Sequence, residues 1–110
     1  WWTTASDNCD YVGYHLVTIN NAAENTWLKT QMDILSATDE NWWIGLNDRS
    51  SEGSFVWDDG GTSTPSYRNW NPGEPNASDW REDCVEFYQS SATWNDRGCN
   101  AGRYYICEAE

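Results

Sequence analysis

Basic residues are scarce in this chain: six Lys and Arg stand against 18 Asp and Glu, for a net charge of −12. Phosphate binding needs basic surface, so nucleic acid is excluded as a partner, and an anionic membrane surface with it. Long apolar runs are missing too, which excludes a membrane-spanning segment and membrane insertion. No Cys-x-x-Cys unit occurs and His15 is the only histidine. A zinc site wants closely spaced thiolates with imidazoles and is not expected here. There is no EF-hand loop, no internal repeat and no low-complexity tract. No leader is visible either; the chain opens at Trp1 rather than Met, as a mature or excised piece would.

Against these gaps stand nine Trp, six Tyr and two Phe, with few aliphatics and a mean hydropathy of −0.86. The 110 residues are the size of one domain, and a chain of this length buries roughly 65% of its unfolded surface. Each aromatic ring buries a large area, so a few hold together a domain that is mostly loop. Cys9, Cys84, Cys99 and Cys107 allow three pairings. Two disulfides are expected, hence an oxidising compartment and a secreted or cell-surface location. The nested pairing, Cys9–Cys107 with Cys84–Cys99, is favoured, although spacing alone leaves the other two open.

The first third reads as helical with one strand inside it. Trp2 to Tyr11 is expected to be a helix stopped near Gly13, and His15–Ile19 a strand. Asn20 or Asn21 caps a second helix running to about Leu35, with Glu24 placed for a capping box. Trp27, Leu28, Ile34 and Leu35 fall at helical spacings and are expected to face the core. Strands follow at Trp42–Leu46, Phe55–Trp57, Cys84–Tyr88, around Thr93-Trp94, and at Arg103–Cys107. Trp42 and Trp43 alternate faces, so one is expected in the core and the other partly exposed. Between Asp58 and Arg81 lie about 24 residues of loop, a length that signals function or disorder. Trp57, Tyr67, Trp70 and Trp80 argue for a loop ordered by its own packing and by bound ions. Asp58-Asp59 before Gly60-Gly61 reads as a turn.

Ten of the 18 acids fall between positions 47 and 96. A folded region so crowded with carboxylates repels itself unless something positive binds, and divalent cations supply that. Calcium takes six to eight hard oxygens from carboxylates, amides and carbonyls. Glu74-Pro75-Asn76 offers a carboxylate and an amide oxygen, and a cis bond before Pro75 would turn both to one centre. Glu82 follows, and Asn95-Asp96 adds a second amide–carboxyl pair. Such a mixed site suits a sugar. Glu only accepts hydrogen bonds while an Asn amide also donates, so a vicinal diol would ligate the metal and still satisfy its hydroxyls.

These residues, with Trp42-Trp-Ile-Gly-Leu-Asn47, Glu82-Asp-Cys-Val85, Trp94-Asn-Asp96 and Tyr105-Ile-Cys-Glu108, make the chain resemble a C-type lectin domain over essentially its whole length. The resemblance implies an α+β fold: two helices, small antiparallel sheets, a long calcium-binding loop region and the nested disulfides. It implies a cis bond before Pro75, and Glu74, Asn76, Glu82, Asn95 and Asp96 as ligands of a principal Ca2+, Asp96 through side chain and carbonyl. A second Ca2+ would fall to Asp48, Glu52, Asp83 and the carbonyl of Glu82, although Ala77 lacks the oxygen often found after the triplet. Residues 1–110 would form a single carbohydrate-recognition domain without the usual N-terminal strand. The sheet edge that strand would cover is then open to a neighbouring domain or subunit.

The function so implied is calcium-dependent carbohydrate binding without catalysis. The Glu-Pro-Asn triplet goes with mannose, fucose, glucose or N-acetylglucosamine ends. Trp80 packs under the loop or stacks on a sugar face, and stacking would admit galactose instead. A calcium-dependent ice-binding protein of the same fold is the other class, but its flat Thr-rich surface is not evident. A glycosidase needs two carboxylates flanking a bond, and the acids here are better explained as ligands. Keeping all five principal ligands argues against a domain that has turned to binding protein. Trp94 is expected in the core, His15 is expected to be structural or solvent-facing, and Arg81 is expected to be an exposed charge that could reach a sugar hydroxyl. Weak single-site affinity favours a homo-oligomer or a place in a larger extracellular protein.

Overall fold

The computed structural model describes residues 1–51, 53–58, 65–75 and 84–109. Among the described residues, two helices and seven strands follow in the order α1 (Trp2–Tyr11), β1 (Tyr14–Leu16), α2 (Ala22–Leu35), β2 (Asn41–Asn47), β3 (Val56–Trp57), β4 (Cys84–Tyr88), β5 (Thr93–Arg97), β6 (Tyr104–Tyr105) and β7 (Cys107–Ala109). The larger sheet runs β3-β2-β4-β5, with β6 added parallel to β2; β1 and β7 form a two-stranded antiparallel sheet. Disulfides Cys9–Cys107 and Cys84–Cys99 close the nested pairing.

The expected strand 15–19 is shorter, because the chain changes sheets at Val17. Its N–H donates to Ile106, while its carbonyl accepts from Gly45 of β2. Gly45 is required there: a Cβ would lie 3.0 Å from the Leu16 carbonyl oxygen and 3.2 Å from that of Val17. The expected strand 103–107 is likewise divided, β6 pairing with β2 and β7 with β1. Among the described residues, β7 therefore closes on β1.

Trp42 and Trp43 do alternate, yet both are buried, at 6% and 0% exposure, which corrects the expectation that one would be partly exposed. The reason is that β2 is covered on both faces. Trp42 joins Leu28, Met32, Phe87 and Trp94 on one side, and Trp43 joins Trp2, Ala5, Cys9 and Cys84 on the other. A central strand with two covered faces is apolar throughout rather than alternating.

In α2, Asn21 caps by accepting from the Glu24 N–H at 2.8 Å. Its buried stripe is Asn25, Leu28 and Met32, at spacings of three and four. Trp27, Ile34 and Leu35 are 60%, 72% and 67% exposed, contrary to expectation. Trp27 and Ile34 share a face nearly opposite that stripe, and Leu35 ends the helix. Gln89 ties this end of α2 to the sheet, accepting from Trp42 Nε1 at 2.9 Å and donating to the Met32 and Ser36 carbonyls. Of the two expectations for His15 the structural one holds: it is buried, with Nδ1 2.7 Å from the Leu16 carbonyl oxygen.

Candidate functional site

The outer edge of β5 organises the site. Trp94 donates its N–H to the Asn69 carbonyl at 3.0 Å and accepts from the Asn71 N–H at 2.8 Å, so the segment 69–71 lies against β5 as a parallel bridge. Asn69 Nδ2 donates to the Ala92 carbonyl and Thr93 Oγ1 to Asn71 Oδ1. Asn71 then accepts from the Glu74 N–H at 2.9 Å, which turns the chain, and Glu74–Pro75 is cis, as expected. Glu74 is thereby brought beside the strand that carries Asn95 and Asp96.

Asn95 and Asp96 are neighbours on a strand and point to opposite faces. Asn95 lies across from Glu86, and Asp96 across from Val85. An ion that takes both must sit off the strand's edge. Main-chain groups alternate with the same period as side chains: Trp94 turns its N–H and C=O outward to 69–71, so Asp96 turns its own to the same edge. The Asp96 carbonyl thus faces the edge along which segment 69–71 runs. Asp96 is 1% exposed and Asn95 7%.

Asp48 follows directly on β2 and is 2% exposed, its Oδ2 accepting from the Gly53 N–H at 2.8 Å. The register Asn47↔Cys84 sets it where the chain enters β4. Asn76, Glu82, Asp83, Glu52 and Trp80 lie outside the described residues, as does Arg81. Among the described residues no group of three His, Cys, Asp or Glu is close enough to hold a metal. The donors that are described nevertheless suit a hard cation in kind: Glu74, Asp48 and Asp96 offer carboxylate oxygens and Asn95 an amide oxygen.

Sequence reasoning missed what lies behind Asn95. Glu86, 1% exposed, accepts from Asn95 Nδ2 at 2.7 Å and from Arg103 Nε at 2.8 Å. An acid amid the apolar Cys84-Val-Glu-Phe-Tyr88 strand was the available signal. One Asn95 amide hydrogen therefore points inward, to Glu86. On the same face of β4, burial and then the nearby Glu86 and Glu74 carboxylates push the Tyr88 phenol up from its ordinary value. Of the turn expected at Asp58-Asp59 before Gly60-Gly61 only Asp58 is among the described residues: its N–H joins the sheet at the Gly45 carbonyl, and its side chain accepts from Ser6 Oγ. Burial raises its carboxyl above the usual range, with the Ser6 hydrogen bond opposing.

The sequence model of the Lectin C-type domain matches residues 1–109. The chain is 41% identical over 108 residues to the C-type lectin domain family 4 member M of Nomascus concolor, covering 97% of this chain and 26% of that protein. It thus spans about a quarter of the length of such relatives. The human scavenger receptor C-type lectin carbohydrate-recognition domain superposes with a TM-score of 0.84 at 33% identity, over 96% of this chain and 79% of that one. A calcium-independent type II antifreeze protein superposes with a TM-score of 0.80 at 30% identity, over 98% and 78%.

Proposed function

Because the chain belongs to the C-type lectin domain family, we propose that residues 1–110 form one carbohydrate-recognition domain that binds sugar through calcium and performs no catalysis. The principal Ca2+ is assigned to Glu74, Asn76, Glu82, Asn95 and Asp96. The observation that carries this reading is the cis Glu74–Pro75 turn, hydrogen-bonded through Asn71 to Trp94, immediately before Asn95 and Asp96. When bound, the ion would supply open coordination positions for two vicinal hydroxyls. The chain's own residues supply the rest. Glu74 and Glu82 accept from those hydroxyls, and Asn76 and the outward N–H of Asn95 donate to them.

Glu-Pro-Asn favours mannose, fucose, glucose or N-acetylglucosamine ends, whose equatorial diols match that order of acceptors and donors. Trp80 is the residue through which galactose would enter. A second Ca2+ at Asp48, Glu52, Asp83 and the Glu82 carbonyl draws support from the buried Asp48 carboxylate. Two disulfides fit a secreted or cell-surface setting, and no helix among the described residues is long and apolar enough to cross a membrane. Attachment to a larger protein, or self-association, would raise a weak single-site affinity by multivalency.

A glycan array probed in calcium buffer tests the reading. Signal is expected on glycans ending in the mannose-type sugars, and a blank array with correctly folded protein overturns it. The antifreeze likeness makes thermal hysteresis the companion measurement; ice growth arrested without any glycan signal would transfer the site to water. Exchanging Glu74→Gln together with Asn76→Asp reverses the donor–acceptor order. It is expected to shift preference toward galactose by about tenfold, the worth of one well-made hydrogen bond. An unchanged preference would assign the choice to Trp80 or another wall.

A further inference from the structure

We propose that Glu86 is a positioning residue for Asn95, fixing which end of its carboxamide faces the calcium, with Arg103 as the counterion that lets a carboxylate occupy that place. This rests on the reading of Asn95 as a ligand. Glu86 stands in mid-strand on β4, directly across from Asn95 on β5. Its two oxygens are divided: Oε2 accepts from Asn95 Nδ2 at 2.7 Å and Oε1 from Arg103 Nε at 2.8 Å. At 1% side-chain exposure, against 19% for Arg103, the carboxylate is the more deeply buried partner. A buried charge persists only when paired and hydrogen-bonded, and here it is both. Arg103 is itself steadied by donating Nη1 to the Gly102 carbonyl at 2.8 Å.

A carboxylate accepts and does not donate. With Glu86 behind it, Asn95 must present its NH2 inward, because the reversed amide would set acceptor against acceptor. Oδ1 is thereby fixed on the other branch of the carboxamide, away from Glu86. That oxygen is the atom a hard cation takes. One N–H remains for a sugar hydroxyl. With an apolar residue at position 86 the amide would flip between two orientations, one of which offers N–H groups to a cation.

Calcium affinity of the purified domain by calorimetry, with its melting temperature in chelator, tests this in a double-mutant cycle. Glu86→Gln keeps the volume and removes the obligate acceptor. It is expected to weaken calcium binding about 10- to 100-fold, as loss of a residue that orients a metal ligand does. In an Asn95→Ala background the same change is expected to alter affinity by less than about twofold, since the group it positions is gone. Equal losses in both backgrounds, or no loss from Glu86→Gln, would reduce the pair to a structural ion pair and overturn the proposal. If Asn95→Ala alone leaves calcium affinity intact, the ligand reading fails first, a result distinct from failure of positioning. Should Glu86→Gln not fold because Arg103 is left unpaired, Glu86→Gln with Arg103→Gln relieves that charge. This double variant is expected to restore the melting temperature but not the calcium affinity, and recovery of both would overturn the assignment.

Discussion

Chelating calcium is expected to reduce glycan binding at least about 100-fold, and restoring calcium to recover it in full. The sugar's hydroxyls would ligate the ion itself, so without it the acceptors and donors that remain are arranged around nothing. The same treatment should lower the melting temperature. An ion at 100 times its dissociation constant stabilises the native state by about 2.7 kcal/mol. For a domain of this size that corresponds to roughly 10 °C or more. The chain's net charge of −12 sharpens the effect, since the carboxylates that lose their cation repel one another. Acidification acts in the same direction, because ligand carboxylates must shed protons to hold the ion. Binding that survives chelator, or that is as tight at pH 4 as at pH 7, would sink the assignment of the site.

Replacing Trp94 by Ala is expected to remove the fold and the site together. Trp94 is fully buried and meets Trp57, Tyr67 and Trp70 edge-on at centroid distances of 5.9, 5.8 and 5.8 Å. Its Nε1 donates to Asn25 Oδ1 at 2.9 Å, which joins β5 to α2. Truncating a buried Trp costs roughly 3–5 kcal/mol, and the Asn25 acceptor left unpaired adds about 1–3 kcal/mol. The sum, about 4–8 kcal/mol, equals or exceeds the lower part of the roughly 5–15 kcal/mol that holds a typical domain folded. Loss of a cooperative thermal transition is expected, and loss of calcium binding with it, because the main chain of Trp94 carries the 69–71 segment. Trp94→Phe keeps most of the packing and should cost only about 1–3 kcal/mol, chiefly the indole hydrogen bond. A Trp94→Ala protein melting within a few degrees of the parent would refute this account of the core.

The sequence carried the elements well where local chemistry decides them. Asn21 with Glu24 announced the start of α2, and the nested cysteines paired as favoured. It misled where burial depends on what lies opposite. Trp27, Ile34 and Leu35 have helical spacing, but only the stripe of Asn25, Leu28 and Met32 meets the sheet. The polar Asn25 belongs to it because Trp94 needs an acceptor, which no local pattern announces.

The candidate site divides along the same line. Sequence by itself determined the family and the cis bond at Glu74-Pro75, because motif residues and an X-Pro bond are properties of residues and their immediate neighbours. Only the tertiary structure decided that Trp42 and Trp43 are both interior, since a second layer covers each face of β2. Only it brought segment 69–75 against the edge of β5, through main-chain bonds that any residue types could make. And only it set Glu86 and Arg103 behind Asn95. Cross-strand register joins residues distant in the chain, and a carboxylate's place in that register, not its identity, turns one acid among 18 into the group that orients another.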